Sequence, residues 1–105
     1  MDDRIHLQIV TSSAIVLERQ VRYVRLPLAG GSIGVLHGHA PLLGALSAGV
    51  LKYSCGDDAF FAAVGDGVVH VTADEVTVLV REAVCAESIE DARTAARQMQ
   101  KKNIT

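Results

Sequence analysis

Apolar and polar side chains alternate along most of this chain. Residues 4–10 place Ile5, Leu7 and Ile9 on one face and His6 and Gln8 on the other, which predicts a half-buried strand. Thr11-Ser12-Ser13 then reads as a turn. Residues 15–28 are again β-rich, but the alternation slips: Val21 and Tyr23 share one parity, Val24 and Leu26 the other. Such a slip predicts either a bulge or two short strands. Arg19, Arg22 and Arg25 are expected to face water or a partner. Residues 32–36 predict a short strand, followed by a tight turn and a second apolar segment. Strands are predicted at 49–55, 59–64, 68–72 and 76–81, joined by the turns Gly56-Asp57-Asp58, Gly65-Asp66-Gly67 and Ala73-Asp74-Glu75. Short strands at this spacing indicate an antiparallel sandwich or barrel. A parallel sheet would need helical crossovers, and the pattern offers none before residue 88.

The period changes at Ser88. Ser88 is placed to cap a helix, with Asp91 at the position that can answer it. Ile89, Ala92, Ala96 and Met99 recur at three- and four-residue steps and form one apolar stripe over a helix predicted at 89–102. Acids lead and Arg97, Lys101 and Lys102 trail, which suits the helix dipole. The alanines on the seam fit close packing, either on the chain's own sandwich or on another subunit.

Composition narrows the choices. The chain has 105 residues, enough for one domain with a single core. Half of them are hydrophobic, yet only two Tyr and two Phe are aromatic, so Val, Leu, Ile and Ala must fill the interior. A net charge of −2 leaves no basic field for nucleic acid and no polybasic patch for a membrane. No apolar run approaches the roughly 20 residues needed to cross a bilayer. No signal-peptide pattern precedes Cys55 and Cys85, so they are expected to be reduced thiols.

Candidate chemistry is sparse. His37-Gly38-His39 invites a metal reading, but a site needs three or four ligands with support behind them. His6 and His70 fall on other strands, and no nearby carboxylate has ligand spacing. Gly30-Gly31-Ser32-Ile33-Gly34 lacks the Lys-Ser/Thr pair of a phosphate loop, and no helix follows it. Ser12, Ser13 and Ser47 sit in no nucleophile motif, and the acid pairs Asp57-Asp58 and Asp74-Glu75 lie in hairpin turns. No catalytic, cofactor or metal-ligating residue is assigned, and the chain is not expected to be an enzyme by itself. The glycine-rich stretch is ordered and partly apolar, which suits a docking edge.

That stretch, Gly31-Ser32-Ile33-Gly34-Val35-Leu36-His37-Gly38-His39-Ala40-Pro41-Leu42-Leu43, followed by Leu46-Ser47-Ala48-Gly49-Val50-Leu51, resembles the signature loop of the epsilon subunit of F-type ATP synthase. The later segments Ala63-Val64-Gly65-Asp66-Gly67-Val68-Val69-His70-Val71, Asp74-Glu75-Val76-Thr77-Val78-Leu79 and Ser88-Ile89-Glu90-Asp91-Ala92-Arg93 are similar to that family's in order and spacing. The resemblance implies a mainly β fold, a ten-stranded antiparallel β-sandwich of two five-stranded sheets over residues 1–86, then a C-terminal helix within 87–105. It implies a non-catalytic subunit of the rotating central stalk that couples proton or sodium translocation to ATP synthesis and hydrolysis. The implied partners are the gamma subunit, the c-subunit ring and, indirectly, the alpha/beta hexamer. Membrane contact would come only through the c ring, at the cytoplasmic face of the bacterial inner membrane. By position, Pro27, Leu28, Gly30, Gly31, Ser32, Ile33 and Gly34 would face the c ring, and His39, Leu42 and Leu43 would lie toward gamma.

Three departures from the family pattern matter. His37 stands where a Pro is usual, and Ser32 where many members carry an acid. The chain ends at Thr105, so a short form lacking the second C-terminal helix is expected. The family's ATP motif, Ile/Leu-Asp-x-x-Arg-Ala, is here Ile89-Glu90-Asp91-Ala92-Arg93-Thr94, which keeps Arg93 but changes the acid and the final alanine. Weak or absent ATP binding is therefore expected. Two rival readings make different demands. A stand-alone β-sandwich binding a small ligand or peptide would need a concave pocket, and a His-dependent metalloenzyme would need bound metal.

Overall fold

The computed structural model describes residues 3–102. Ten strands run in chain order: β1 (Ile5–Val10), β2 (Ile15–Val21), β3 (Tyr23–Leu28), β4 (Gly31–Leu36), β5 (Leu42–Leu46), β6 (Gly49–Cys55), β7 (Asp58–Val64), β8 (Gly67–Val71), β9 (Glu75–Val80) and β10 (Ala83–Ala86). One helix, α1 (Ile89–Lys102), follows. The hydrogen-bonded order is β10-β7-β6-β3-β5-β8-β9-β1-β2, with β4 on the other side of β3. That order divides into two five-stranded layers, β10-β7-β6-β3-β4 and β5-β8-β9-β1-β2. They are stitched by the single pairing of Leu28 with Leu46.

The expected sandwich is present, and the slip in residues 15–28 resolves as two strands broken at Arg22. One pairing departs from an all-antiparallel sheet: β1 runs parallel to β9, with Leu7 beside Val76. No helix makes that crossover. The chain passes through four strands of the opposite layer, β3, β4, β6 and β7, before returning, which is the long connection a parallel pair requires.

Between the layers lie Ile5, Leu7, Ile9, Val24, Leu26, Leu51, Val69, Val71, Val76 and Val78, all essentially without solvent contact. They occupy alternate positions on their strands, so the period-two pattern seen in the sequence is the pattern of burial. The second cluster sits outside the sandwich. Ala96 and Met99 of α1 pack on Ala48 and Ala63, flanked by Val50 and Ala95, and Ala92 is fully buried. The helix therefore lies on its own domain, over the outer face of β6 and β7. Ser88 Oγ accepts a bond from Asp91 N at 3.2 Å, and Gln100 Nε2 donates to Ala48 O at 2.7 Å. Ile89, expected on the buried stripe, remains 38% exposed.

No strand pairing joins β2 to β10, so side chains close that side of the sandwich. Arg19 lies on the inward parity of edge strand β2, opposite Leu7. Its guanidinium stands 5.2 Å from the Phe60 ring centre and 6.0 Å from that of Tyr53, and the two rings stack at 5.4 Å. Arg19, expected to face water or a partner, is exposed, and its guanidinium also caps the aromatic pair. An inward-pointing charge on an edge strand also discourages pairing with another chain. Burial pushes the Tyr53 phenol above its ordinary 10.0, opposed by Arg19 and reinforced by Cys85.

Because the folded state favours neutral Tyr53, its contribution is complete below about pH 10 and is lost as pH rises through the folded-state value. Denaturant titrations should show Tyr53→Phe losing less stability than the parent above that pH. Gly67 offers a sharper test of packing. A Cβ there would strike the backbone oxygen of Leu79, whereas one at Gly30 meets nothing within 4 Å. Gly67→Ala should cost about 2–3 kcal/mol by denaturant melts and Gly30→Ala no more than about 0.5 kcal/mol.

Candidate docking surfaces

Two surfaces gather the residues singled out in the sequence. The first is the β3–β4 hairpin. Tyr23 to Leu28 pair with Leu36 to Gly31 in unbroken register, leaving Ala29 and Gly30 as the turn. Gly31 takes φ +129°, a value L side chains rarely adopt. The hairpin is anchored at its tip: Ala29 N donates to Ala45 O at 3.1 Å, and Ser47 N donates to Pro27 O at 2.9 Å. Gly30, Gly31, Ser32 and Gly34 are exposed, while Pro27, Leu28 and Ile33 are half-buried. Leu28 and Ile33 turn into the core. Arg25 Nη2 donates to Ser32 Oγ at 2.8 Å, so the serine occupying the family's acidic position still engages a cation. The Tyr23 ring lies across Gly34, where an added Cβ would sit 2.8 Å from its Oη.

The loop after β4 is equally fixed. Gly38 takes φ +88°, and its N–H donates to Ala73 O at 2.7 Å in the β8–β9 turn. His39 N donates to Leu36 O, and its ring Nδ1 bonds Ala40 O at 2.6 Å, which requires the proton on Nδ1. His37 lies beside a different group, with Arg4, His6, Gln20, Asp74 and Glu75 around one open depression. His6 Nε2 pairs with Glu18 at 2.9 Å there. Among the described residues no three His, Cys, Asp or Glu side chains are grouped to hold a metal ion.

The second surface is the outer face of β5-β8-β9-β1-β2. Register aligns Ala45, Val68, Leu79, Val10 and Ile15 in one row across the five strands. Val68, Leu79 and Ile15 are 48%, 50% and 58% exposed. One pleat along, the next row runs Leu43, His70, Thr77, Gln8 and Glu18, and Leu43 is 75% exposed. Beyond it come Glu75, His6 and Gln20. The face thus grades from apolar to charged, and the apolar end is a contiguous patch of the kind that marks a protein contact. Leu42 and Leu43 part company: Leu43 joins this face, while Leu42 packs inward on the core. Register supplied what sequence reading missed. The local trace of it is that Val68, Leu79 and Ile15 stand at outward positions where a solvated strand would carry polar groups; their alignment into one row is set by strand pairing.

The third group lies on the helix. Glu90, Arg93, Thr94 and Arg97 border a shallow depression, and Thr94 Oγ1 is engaged with Glu90 O at 3.0 Å.

Comparison with known proteins gives a consistent result. The family model for "ATP synthase, Delta/Epsilon chain, beta-sandwich domain" matches residues 4–86. The ATP synthase epsilon chain of Magnetococcus marinus is 38% identical over 88 residues, covering 84% of this chain and 64% of that one. Those of Lawsonia intracellularis and Solibacter usitatus are 34% and 40% identical over 96 residues, covering 91% of this chain and 72% of each relative. The chain therefore spans somewhat under two thirds of the Magnetococcus relative's length. Among solved structures, a chain of the Euglena gracilis mitochondrial ATP synthase, in an OSCP/F1/c-ring assembly, superposes with a TM-score of 0.76. It is 23% identical and covers 95% of this chain and 64% of that one. A chain from the Tetrahymena thermophila mitochondrial ATP synthase central stalk and c-ring has a TM-score of 0.66 at 15% identity, covering 95% and 90%. At these identities the likeness is one of fold.

Gly34→Ala should push the Tyr23 ring off the hairpin and cost about 1 kcal/mol, leaving the domain folded. Tyrosine ring resonances and a denaturant melt would read both effects. Unchanged Tyr23 shifts would refute this packing.

Proposed function

The chain belongs to the ATP synthase delta/epsilon family, and on that premise we propose that it is a non-catalytic subunit of the central stalk that works by docking. Its apolar outer face meets the gamma subunit, and its β3–β4 hairpin meets the c-subunit ring. Bound to both, it couples proton or sodium translocation to ATP synthesis and hydrolysis on the alpha/beta hexamer. The observation that carries this reading is the apolar row Ala45, Val68, Leu79, Val10 and Ile15, exposed except at half-buried Val10 and continuous with Leu43. A monomer gains nothing by leaving such a row in water; a partner that covers it removes the cost. The assemblies named for the two solved structures, which contain a c-ring, support the same assignment.

The tip residues fit the second contact. Gly30, Gly31, Ser32 and Gly34 carry little side chain, so another backbone can approach closely. Pro27, Leu28 and Ile33 hold the tip from behind. His39, with its ring tied to Ala40 O, borders the gamma side. No helix among the described residues is long and apolar enough to cross a membrane. We place the protein at the cytoplasmic face of the bacterial inner membrane, held there through the c ring. Thr94, whose hydroxyl is bonded within the helix, stands in place of the ATP motif's alanine, and with Glu90 replacing its acid we expect little nucleotide affinity at Ile89, Glu90 and Arg93.

Binding of the purified full chain to gamma subunit from the same source tests this directly. Val68→Glu combined with Leu79→Glu should weaken capture by about a hundredfold or more, the scale of interface hot spots, while the melting temperature changes little because both sites face solvent. Undiminished binding by that variant would refute the assignment of this face.

A further inference from the structure

Resting on the docking reading above, we infer that His70 makes attachment of the apolar partner surface proton-dependent, with acid loosening the joint. His70 stands directly opposite Leu43 on β5 and Thr77 on β9. It shares strand β8 with Val68, two residues away and therefore on the same face. A partner surface that covers both Leu43 and Val68 must also cover His70, because the three are immediate neighbours in the pleat.

Within the free chain the ring is exposed, and it makes no hydrogen bond or ion pair among the described residues. The elements beside it offer no compensating charge at close range. β5 contributes Leu43 and Ala45 to this face, and β8 contributes Val68. On β9 the facing residue is Thr77, with Glu75 one pleat along toward the polar end. Beyond β9 lie Gln8 on β1 and then the His6–Glu18 pair, whose members already engage each other at 2.9 Å.

Histidine is the side chain whose ordinary titration falls between pH 5 and 8. Neutral His70 can be covered at modest cost, because one ring nitrogen still accepts and the other still donates. Protonated, it would carry a full charge under an apolar surface, and desolvating that charge opposes contact. The complex therefore holds fewer protons than its separated parts, so association weakens as pH falls through the histidine range.

The test is affinity of the full chain for gamma subunit at about pH 8 and about pH 5.5, measured by calorimetry or surface immobilisation. The parent should bind about tenfold more weakly at the lower pH. His70→Gln, which keeps a polar side chain but no titratable charge, should bind normally at the higher pH and lose most of the difference. His70→Lys, charged at both values, should bind about tenfold more weakly at each. Binding that is strong at both pH values, or a pH dependence that survives in His70→Gln, overturns this inference alone. Absence of binding at every pH overturns the docking reading and this inference with it.

Discussion

A β-strand can hide only every second side chain inside its own sandwich. Each of the two layers is therefore left with an outer face, and the two are treated differently. The layer containing β6 and β7 is roofed by α1, whose Ala96 and Met99 meet Ala48 and Ala63 closely because nearly every residue at the contact is small. The layer containing β8 and β9 has no such roof in the described chain, although its central row is apolar. From this asymmetry follow the stability of the isolated fold, which uses the inner faces and the roofed one, and the docking assignment, which uses the bare one.

Much of this was legible beforehand, and the failures have physical causes. The helix is found at the residues its periodicity predicted, because cap, dipole and stripe all point to one answer. The strands read from alternation agree to within a residue at most ends, because alternation tracks burial directly, whereas β5 reads only as an apolar segment and β10 is not read from the pattern at all. What alternation cannot report is which strand lies beside which. Val10 and Leu79 are far apart along the chain, and only the parallel pairing of β1 with β9 sets them side by side. The apolar row was invisible for that reason, although each of its members was in view. Arg19 shows a related point: its register is inward, yet its side chain remains exposed. An edge strand allows both, since a long side chain can lay its stem along apolar surface and keep its head wet.

The hairpin shows the opposite balance. Its glycine-rich sequence points to a turn, and Gly31 and Gly38 do use φ values that suit glycine. Gly34 has another role. It leaves room for a neighbouring ring, a reason that depends on where Tyr23 goes and that no local pattern announces.

Leu28 is the residue at which the two layers meet. On one side it pairs with Gly31 in its own hairpin, and on the other with Leu46 at the start of the opposite layer. The bonds from Ala29 to Ala45 and from Ser47 to Pro27 flank that junction. A sideways load on the hairpin tip is thus not borne by the hairpin alone. It passes as shear through a short ladder of backbone bonds into β5, and from there along the strands that carry the bare apolar row, so that the tip and the row move as one lever arm.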